Sequence, residues 1–208
     1  MEKQVLAAVI TGDIIASSLL SNPERIRMLG TLQEVVDEGN NIFKDWNAEI
    51  FQGDSFQGST FLGLKDSLRY AIGCVARFRE QEVGLRIAIG IGEISFAAPS
   101  VRTSDGTAFL HSGRTLEALK KSNGSIIGIK TGVEDLDAEF DTHCASLDFL
   151  LAGCTAPQAA AIVLAMNGFT QVQIAEKLHI TQPTVQQRLK AAGWPVFKAI
   201  LHRFASKY

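Results

Sequence analysis

The chain has little of what would place it in a specialised class. Only three cysteines occur in 208 residues, Cys74, Cys144 and Cys154. Their odd number argues against a disulfide framework and their spacing fits no metal-binding pattern. Each reads as a small buried apolar residue. No apolar run approaches the roughly 20 residues that cross a bilayer as a helix, which argues against a membrane partner. Met1-Glu2-Lys3 leads straight into a strand-like run and not into a signal peptide. Internal repeats and low-complexity tracts are missing too. The expectation is a soluble, cytoplasmic protein. One further lack is local: from Thr155 to Tyr208 there is a single acid, Glu176, against six lysines and arginines, a net +5. The whole chain carries −2, so residues 1–154 carry −7. Such asymmetry points to nucleic-acid contact by the basic part.

What is present is enough apolar residue, 46%, for a packed core. The basic part holds the clearest local pattern. Thr170 with Gln173 has the spacing of a capping box. Ile174, Ala175 and Leu178 then share one helix face. His179 stands where the chain must turn, at a position that favours positive φ. Thr181 can cap a second helix with Pro183 in its first turn. Val185, Leu189 and Ala192 face inward at helical spacing, leaving Gln182, Thr184, Gln186, Gln187, Arg188 and Lys190 outward. This stretch, Gly168 to Gly193, resembles a helix-turn-helix of the sigma-factor region-4 type. The resemblance implies DNA as partner, read by those six residues through glutamine–adenine and arginine–guanine or phosphate contacts.

Before it, apolar runs alternate with amphipathic ones. Val5 to Ile10 is a buried strand, ending at Thr11-Gly12-Asp13. A helix runs from Asn22 to about Glu38 and is closed by Gly39-Asn40-Asn41. Ala48–Phe51 and Ser55–Leu62 are strands of a hairpin turning at Gly53-Asp54. Lys65–Glu80 is a helix and Leu85–Ile91 a strand, with Glu93–Ala97 as a partner strand. Gly90 and Gly92 permit close approach of backbone or ligand. A helix from Thr107 to Lys121, broken by Ser122-Asn123-Gly124, precedes a strand over Ser125–Ile129. A helical connection over Val133–Leu151 follows, and a last helix covers Trp194–Phe204. The expected fold class is α+β: a ferredoxin-like βαββαβ domain over 1–150, then an all-α helix-turn-helix domain over 151–208.

Thr11 to Ser18, Gly53 to Gly58, Arg86 to Ile94 and Gly106 to Arg114 resemble the SatD family of bacterial proteins, and the likeness extends through the helix-turn-helix. The first domain is more distantly similar to class III nucleotide cyclases. That similarity implies Asp13 and Asp54 as ligands of Mg²⁺ or Mn²⁺, Arg114 as a phosphate contact, and Gly90 and Gly92 as part of a nucleotide site. Hard cations take carboxylate oxygens and clamp phosphates. Two positions depart from the cyclase pattern: Leu110 replaces the asparagine before that arginine, and Ile50 replaces the purine-selecting lysine. Both weigh against turnover. The expectation is a homodimeric DNA-binding transcriptional regulator that senses a metal–nucleotide ligand. The alternative is an active metal-dependent nucleotide cyclase or nucleotidyl enzyme.

Overall fold

Nine residues, Leu6–Ile14, make the central strand β1 of a five-stranded sheet in a computed structural model that describes residues 6–122 and 124–208. The remaining strands are β2 (Asn47–Phe51), β3 (Ser55–Thr60), β4 (Leu85–Glu93) and β5 (Ile127–Lys130), in the order β2-β3-β1-β4-β5. β1 lies antiparallel to β3 and to β4, and β5 is parallel to β4. Helices α1 (Asn22–Ile42), α2 (Ser67–Glu80) and α3 (Thr107–Lys121) follow β1, β3 and β4. The first four strands and two helices are thus βαββαβ, and α3–β5 adds a parallel crossover.

β1 is longer than its apolar run predicts. Thr11-Gly12-Asp13 reads as the end of the strand but stays in the ladder, which runs on to Ile14, because tertiary partners fit each residue. Gly12 lies under the Phe56 ring, where a Cβ would collide. Thr11 belongs to a side-chain relay: Gln57 Nε2 donates to its hydroxyl (3.1 Å), its oxygen lies 2.7 Å from Ser112 Oγ, and Ser112 donates to the Ala88 carbonyl. Every buried hydroxyl there has a partner, so the usual cost of burying it is met. Val5 and Asn123 lie outside the described residues.

Two other expectations fail for similar reasons. Gly39 does not end α1, which runs to Ile42; the Trp46 indole packs on Gly39, and its N–H donates to the Val36 carbonyl (2.9 Å). Glu93–Ala97 forms no partner strand, only one bridge between Phe96 and Asp105.

The C-terminal half is all helical: α4 (Glu134–Ala152), α5 (Ala156–Met166), α6 (Gln171–Leu178), α7 (Gln182–Ala191) and α8 (Trp194–Ala205). A division at 150/151 cuts α4 two residues before its end. The apolar core also continues across it, from Leu68 and Phe78 of α2 through Phe140 and Leu147 of α4 to Ile162, Phe197 and Phe204. Arginines of α2 tie the two halves further. Arg69 donates to the Met166 carbonyl (2.7 Å), and Arg79 donates to the carbonyls of Cys154 and Ala152 (both 2.8 Å).

Candidate functional site

The two aspartates singled out from sequence lie on neighbouring strands. Asp13 stands opposite Ser55 on one side and Arg86 on the other. The next residue, Ile14, donates its N–H to the Asp54 carbonyl (2.9 Å). Their backbones are adjacent, but their carboxylates have separate partners. Asp13, mostly buried, receives Lys120 Nζ of α3 at 3.4 Å, and Lys120 also reaches Glu117. Burial of Lys120 works against its charge, yet Asp13 and Glu117 outweigh this and hold its pKa above the ordinary value. Asp54 accepts a hydrogen bond from Ser17 Oγ (2.8 Å). The charge of Asp13 is thus balanced by a lysine, while Asp54 has a hydroxyl as its hydrogen-bond partner.

Asp54 opens onto a cavity of about 230 Å³ whose wall includes Ser17, Arg25, Met28 and Gly53. Two non-glycine residues with left-handed backbone flank it, Ala16 (φ 56°) before Ser17 and Gln52 (φ 48°) before Gly53. Each such residue costs about 1 kcal/mol, and strain of this kind collects where side chains must be held in a set place. Arg25 comes from the first turn of α1, whose Ser21–Glu24 capping box fixes the start of the helix. It is the cation on the Asp54 cavity, and nothing in its local sequence marks it out.

Arg114 is elsewhere. It lines a larger cavity, about 590 Å³, between α3, β5 and α4. Arg114 and Lys120 are six residues apart, which at 3.6 residues per turn sets them about 120° apart around α3. Lys120 faces β1; Arg114 faces β5. Within one chain the structure does not bring Arg114 to Asp13 or Asp54, because the helix turns it away.

Gly90 and Gly92 are corrected as well. A Cβ on Gly90 would fall on the Ala108 carbonyl and the Ser112 N–H; one on Gly92 would strike the Thr107 hydroxyl. The room they leave is filled by α3 backbone, and the reason for glycine there is helix-on-strand packing. Among the described residues there is no cluster of three or more His, Cys, Asp or Glu side chains fit to hold a metal. Two carboxylates suit an ion that keeps its remaining positions for water and phosphate, as Mg²⁺ does.

In the C-terminal half, α6 and α7 are joined by a three-residue turn, His179 to Thr181. His179 takes the left-handed conformation (φ 52°, ψ 44°). Thr170 and Gln173 exchange capping-box bonds, and Thr181 caps α7 through the Thr184 N–H. Ile174, Ala175, Val185, Leu189 and Ala192 are buried. Gln182, Gln186, Gln187 and Lys190 form the exposed arc of α7, while Thr184 and Arg188 are half-buried at its rim. Thr184 is engaged with the Thr181 hydroxyl (2.8 Å) and Gln182 with Gln171 (2.8 Å). The +5 of this half is also partly spent. Arg203 makes a two-pronged ion pair with Glu139 of α4 (2.6 and 2.9 Å), Lys207 lies 3.7 Å from the same carboxylate, and Lys177 covers the Phe169 ring.

An α+β chain with an antiparallel-centred sheet and a helical second half is the class these features define. It belongs to the SatD family, whose model matches residues 7–203. No curated protein shows significant sequence similarity to it. Among solved structures it is similar to a bacterial light-regulated adenylyl cyclase (15% identity, 61% of this chain and 76% of that one, TM-score 0.43). It is also similar to the GGEEF domain of a diguanylate cyclase from Vibrio cholerae (14%, 61% and 82%, 0.42). A third is the adenylyl cyclase CyaB from P. aeruginosa (16%, 56% and 73%, 0.40). No helix among the described residues is long and apolar enough to cross a membrane.

Proposed function

We propose that this protein is a DNA-binding transcriptional regulator whose α6–α7 pair acts as a helix-turn-helix. The observation that carries this reading is the exposed arc of α7. It holds Gln182, Gln186, Gln187 and Lys190, with no acid and no large apolar side chain, on a helix whose opposite face is fully committed to the core. A helix that docked on protein would present apolar anchors. Glutamine and lysine are suited to base edges and phosphates. Arg188, half-buried at the rim, becomes a backbone contact in this reading, and Lys190 the more exposed cation. One such pair covers a short half-site, so the protein works as a homodimer on DNA.

The full-length protein should bind duplex DNA with log affinity falling linearly in log salt, as released counterions require. Lys190→Ala should reduce the slope by about 1. Fluorescence anisotropy with labelled duplexes over a salt series measures both, and salt-independent or undetectable binding at low salt overturns the reading. Sedimentation with and without DNA tests the dimer.

The sheet half, in this proposal, senses Mg²⁺ or Mn²⁺ with a nucleotide at the Asp54 cavity. Asp54 would hold the ion there, with Arg25 in place of Arg114 as the phosphate cation, while Asp13, paired with Lys120 and outside the cavity wall, would not reach it. The juxtaposition of a carboxylate and an arginine around a strained 230 Å³ cavity supports it. An active nucleotidyl enzyme remains the second reading, favoured by the same carboxylate. The two differ in outcome: steady release of pyrophosphate from nucleoside triphosphates marks the enzyme, whereas a sensor shows a melting shift without turnover.

A further inference from the structure

A large cavity among the described residues belongs to neither of these sites. It is the groove between α3, β5 and α4, about 590 Å³, within the size range of small-molecule sites. Its walls are mixed: α3 supplies Ala118 and Leu119 beside His111 and Thr115, and α4 supplies Cys144 and Ala145 beside the acids Asp141 and Asp148. Its floor is the outer edge of β5, and the fate of that edge is the informative feature.

Carbonyls alternate direction along a strand. Ile126 turns its carbonyl to β4, accepting from the Ile87 N–H (2.8 Å). The carbonyls and N–H groups of Ile127 and Ile129 therefore point out of the sheet, toward the groove. α4 takes up the donors along this edge. Asp148 accepts from the N–H groups of Ile126 and Ile127 (3.1 and 2.9 Å), Cys144 lies against the Ile129 N–H, and Asp137 accepts from the Thr131 N–H (2.7 Å). Among the described residues no hydrogen bond reaches the Ile127 or Ile129 carbonyl from outside the ladder. The edge is thus closed to an added strand, which would need those donors, but it keeps two acceptors facing the slot between α3 and α4. At the rim stands Arg114, which forms no ion pair with any described residue.

We propose that this groove binds a nucleoside 5′-monophosphate without metal, its base on the β5 edge and its phosphate on Arg114. A flat ring fits between Ala118 and Leu119 on one wall and Cys144 and Ala145 on the other. An exocyclic amino group supplies the donor that the Ile127 and Ile129 carbonyls lack. An anionic tail matches an arginine with no carboxylate of its own, as a two-pronged contact. A free aromatic acid would meet Arg114 but leave the carbonyls unpaired. A bare phosphate would leave the slot empty. The site goes beyond the metal–nucleotide reading of Asp54 and stands independently of it.

Absence of divalent ions separates the two. In EDTA, the four nucleoside 5′-monophosphates are titrated into the full-length protein and followed by calorimetry and by amide chemical shifts. The expected result is saturable binding, stronger for the bases with an exocyclic amino group (AMP, CMP and GMP) than for UMP. The amide shifts should centre on residues 126–130. Arg114→Ala should weaken binding about tenfold or more, the loss of a charged hydrogen-bonded contact. Ala118→Trp, at an exposed position, should abolish binding by filling the slot. Asp54→Asn should leave it unchanged. No binding by any of the four in EDTA overturns the proposal. So does binding that both Arg114→Ala and Ala118→Trp leave intact, provided circular dichroism shows both variants folded.

Discussion

The sheet half and the helical half hold their shape by different means. The sheet half relies on close approach of backbone: Gly12 under Phe56, Gly58 under Trp46, and Gly90 and Gly92 under α3. The helical half relies on local punctuation. Thr155, Thr170 and Thr181 start its helices, while His179 and Gly193 turn the chain between them with positive φ. The first kind of order is long-range and depends on which residues the topology sets opposite each other. The second is written within three or four neighbours. The difference also appears in charge. Asp137 and Asp148 of α4 and Asp13 of β1 accept backbone N–H groups or pair with lysine, whereas Lys190 and Lys198 stand exposed on the last two helices. Yet the two share one core, and α4 faces both, with Asp148 on β5 and Phe140 against Phe204 (5.3 Å between ring centres).

That shared core is the first feature to break. Phe204 and Phe140 are fully buried, and Phe204→Ala should cost about 3–5 kcal/mol. Trp46 reports on the sheet half and Trp194 on the helical half. In single-tryptophan variants, both signals should move to lower denaturant together, as one transition. A shift of the Trp194 signal alone would mean two independent units. Next in size is Gly90→Ala. Its methyl group would meet α3 backbone, which cannot rotate away, and the cost should be about 1–3 kcal/mol. Gly168→Ala, in the helical half, meets no atom and is strained only by its positive φ, so it should cost less.

Asp137 sharpens the comparison through pH. Burial opposes its charge, but Lys130 and the N–H and hydroxyl of Thr131 outweigh that and lower its pKa. A depressed folded value means the stabilisation is complete above the unfolded value of about 3.9 and is lost as pH falls through the folded one. Asp137→Asn should therefore cost about 2 kcal/mol at pH 7. Urea midpoints measured from pH 7 down to 2 should fall for the wild type in the acid limb and stay flatter for the variant. The smallest effect belongs to the caps. Thr170→Ala should cost about 1 kcal/mol. Amide exchange should quicken in α6 while β1 and β4 keep their protection; equal loss in both halves would show that the cap matters only through the common core.

Legibility follows the same line between local and long-range order. The helix boundaries at Thr170, His179 and Thr181 were readable, because the partners that satisfy them lie within four positions; α5 and its Thr155 cap carry the same kind of signal and were missed. The βαββαβ succession of elements was readable too. Thr11-Gly12-Asp13 was misread as the end of β1, and Gly39-Asn40-Asn41 as a helix end. In each case a distant aromatic ring packs on a glycine, and no neighbouring residue announces it.

The sequence by itself determined the charge asymmetry, the polar arc of α7, the left-handed turn at His179 and the presence of Asp13 and Asp54 near strand ends. Periodicity and capping are one-dimensional properties, so they survive reading along the chain. Tertiary structure alone decided that Lys120 neutralises Asp13, that Arg25 and not Arg114 stands at the Asp54 cavity, and that α4 seals the β5 edge while leaving two carbonyls bare. Each of these depends on the angle at which a helix crosses the sheet. A rotation of about 100° per residue turns a side chain from one face to another, and only packing against the rest of the molecule sets where that rotation begins.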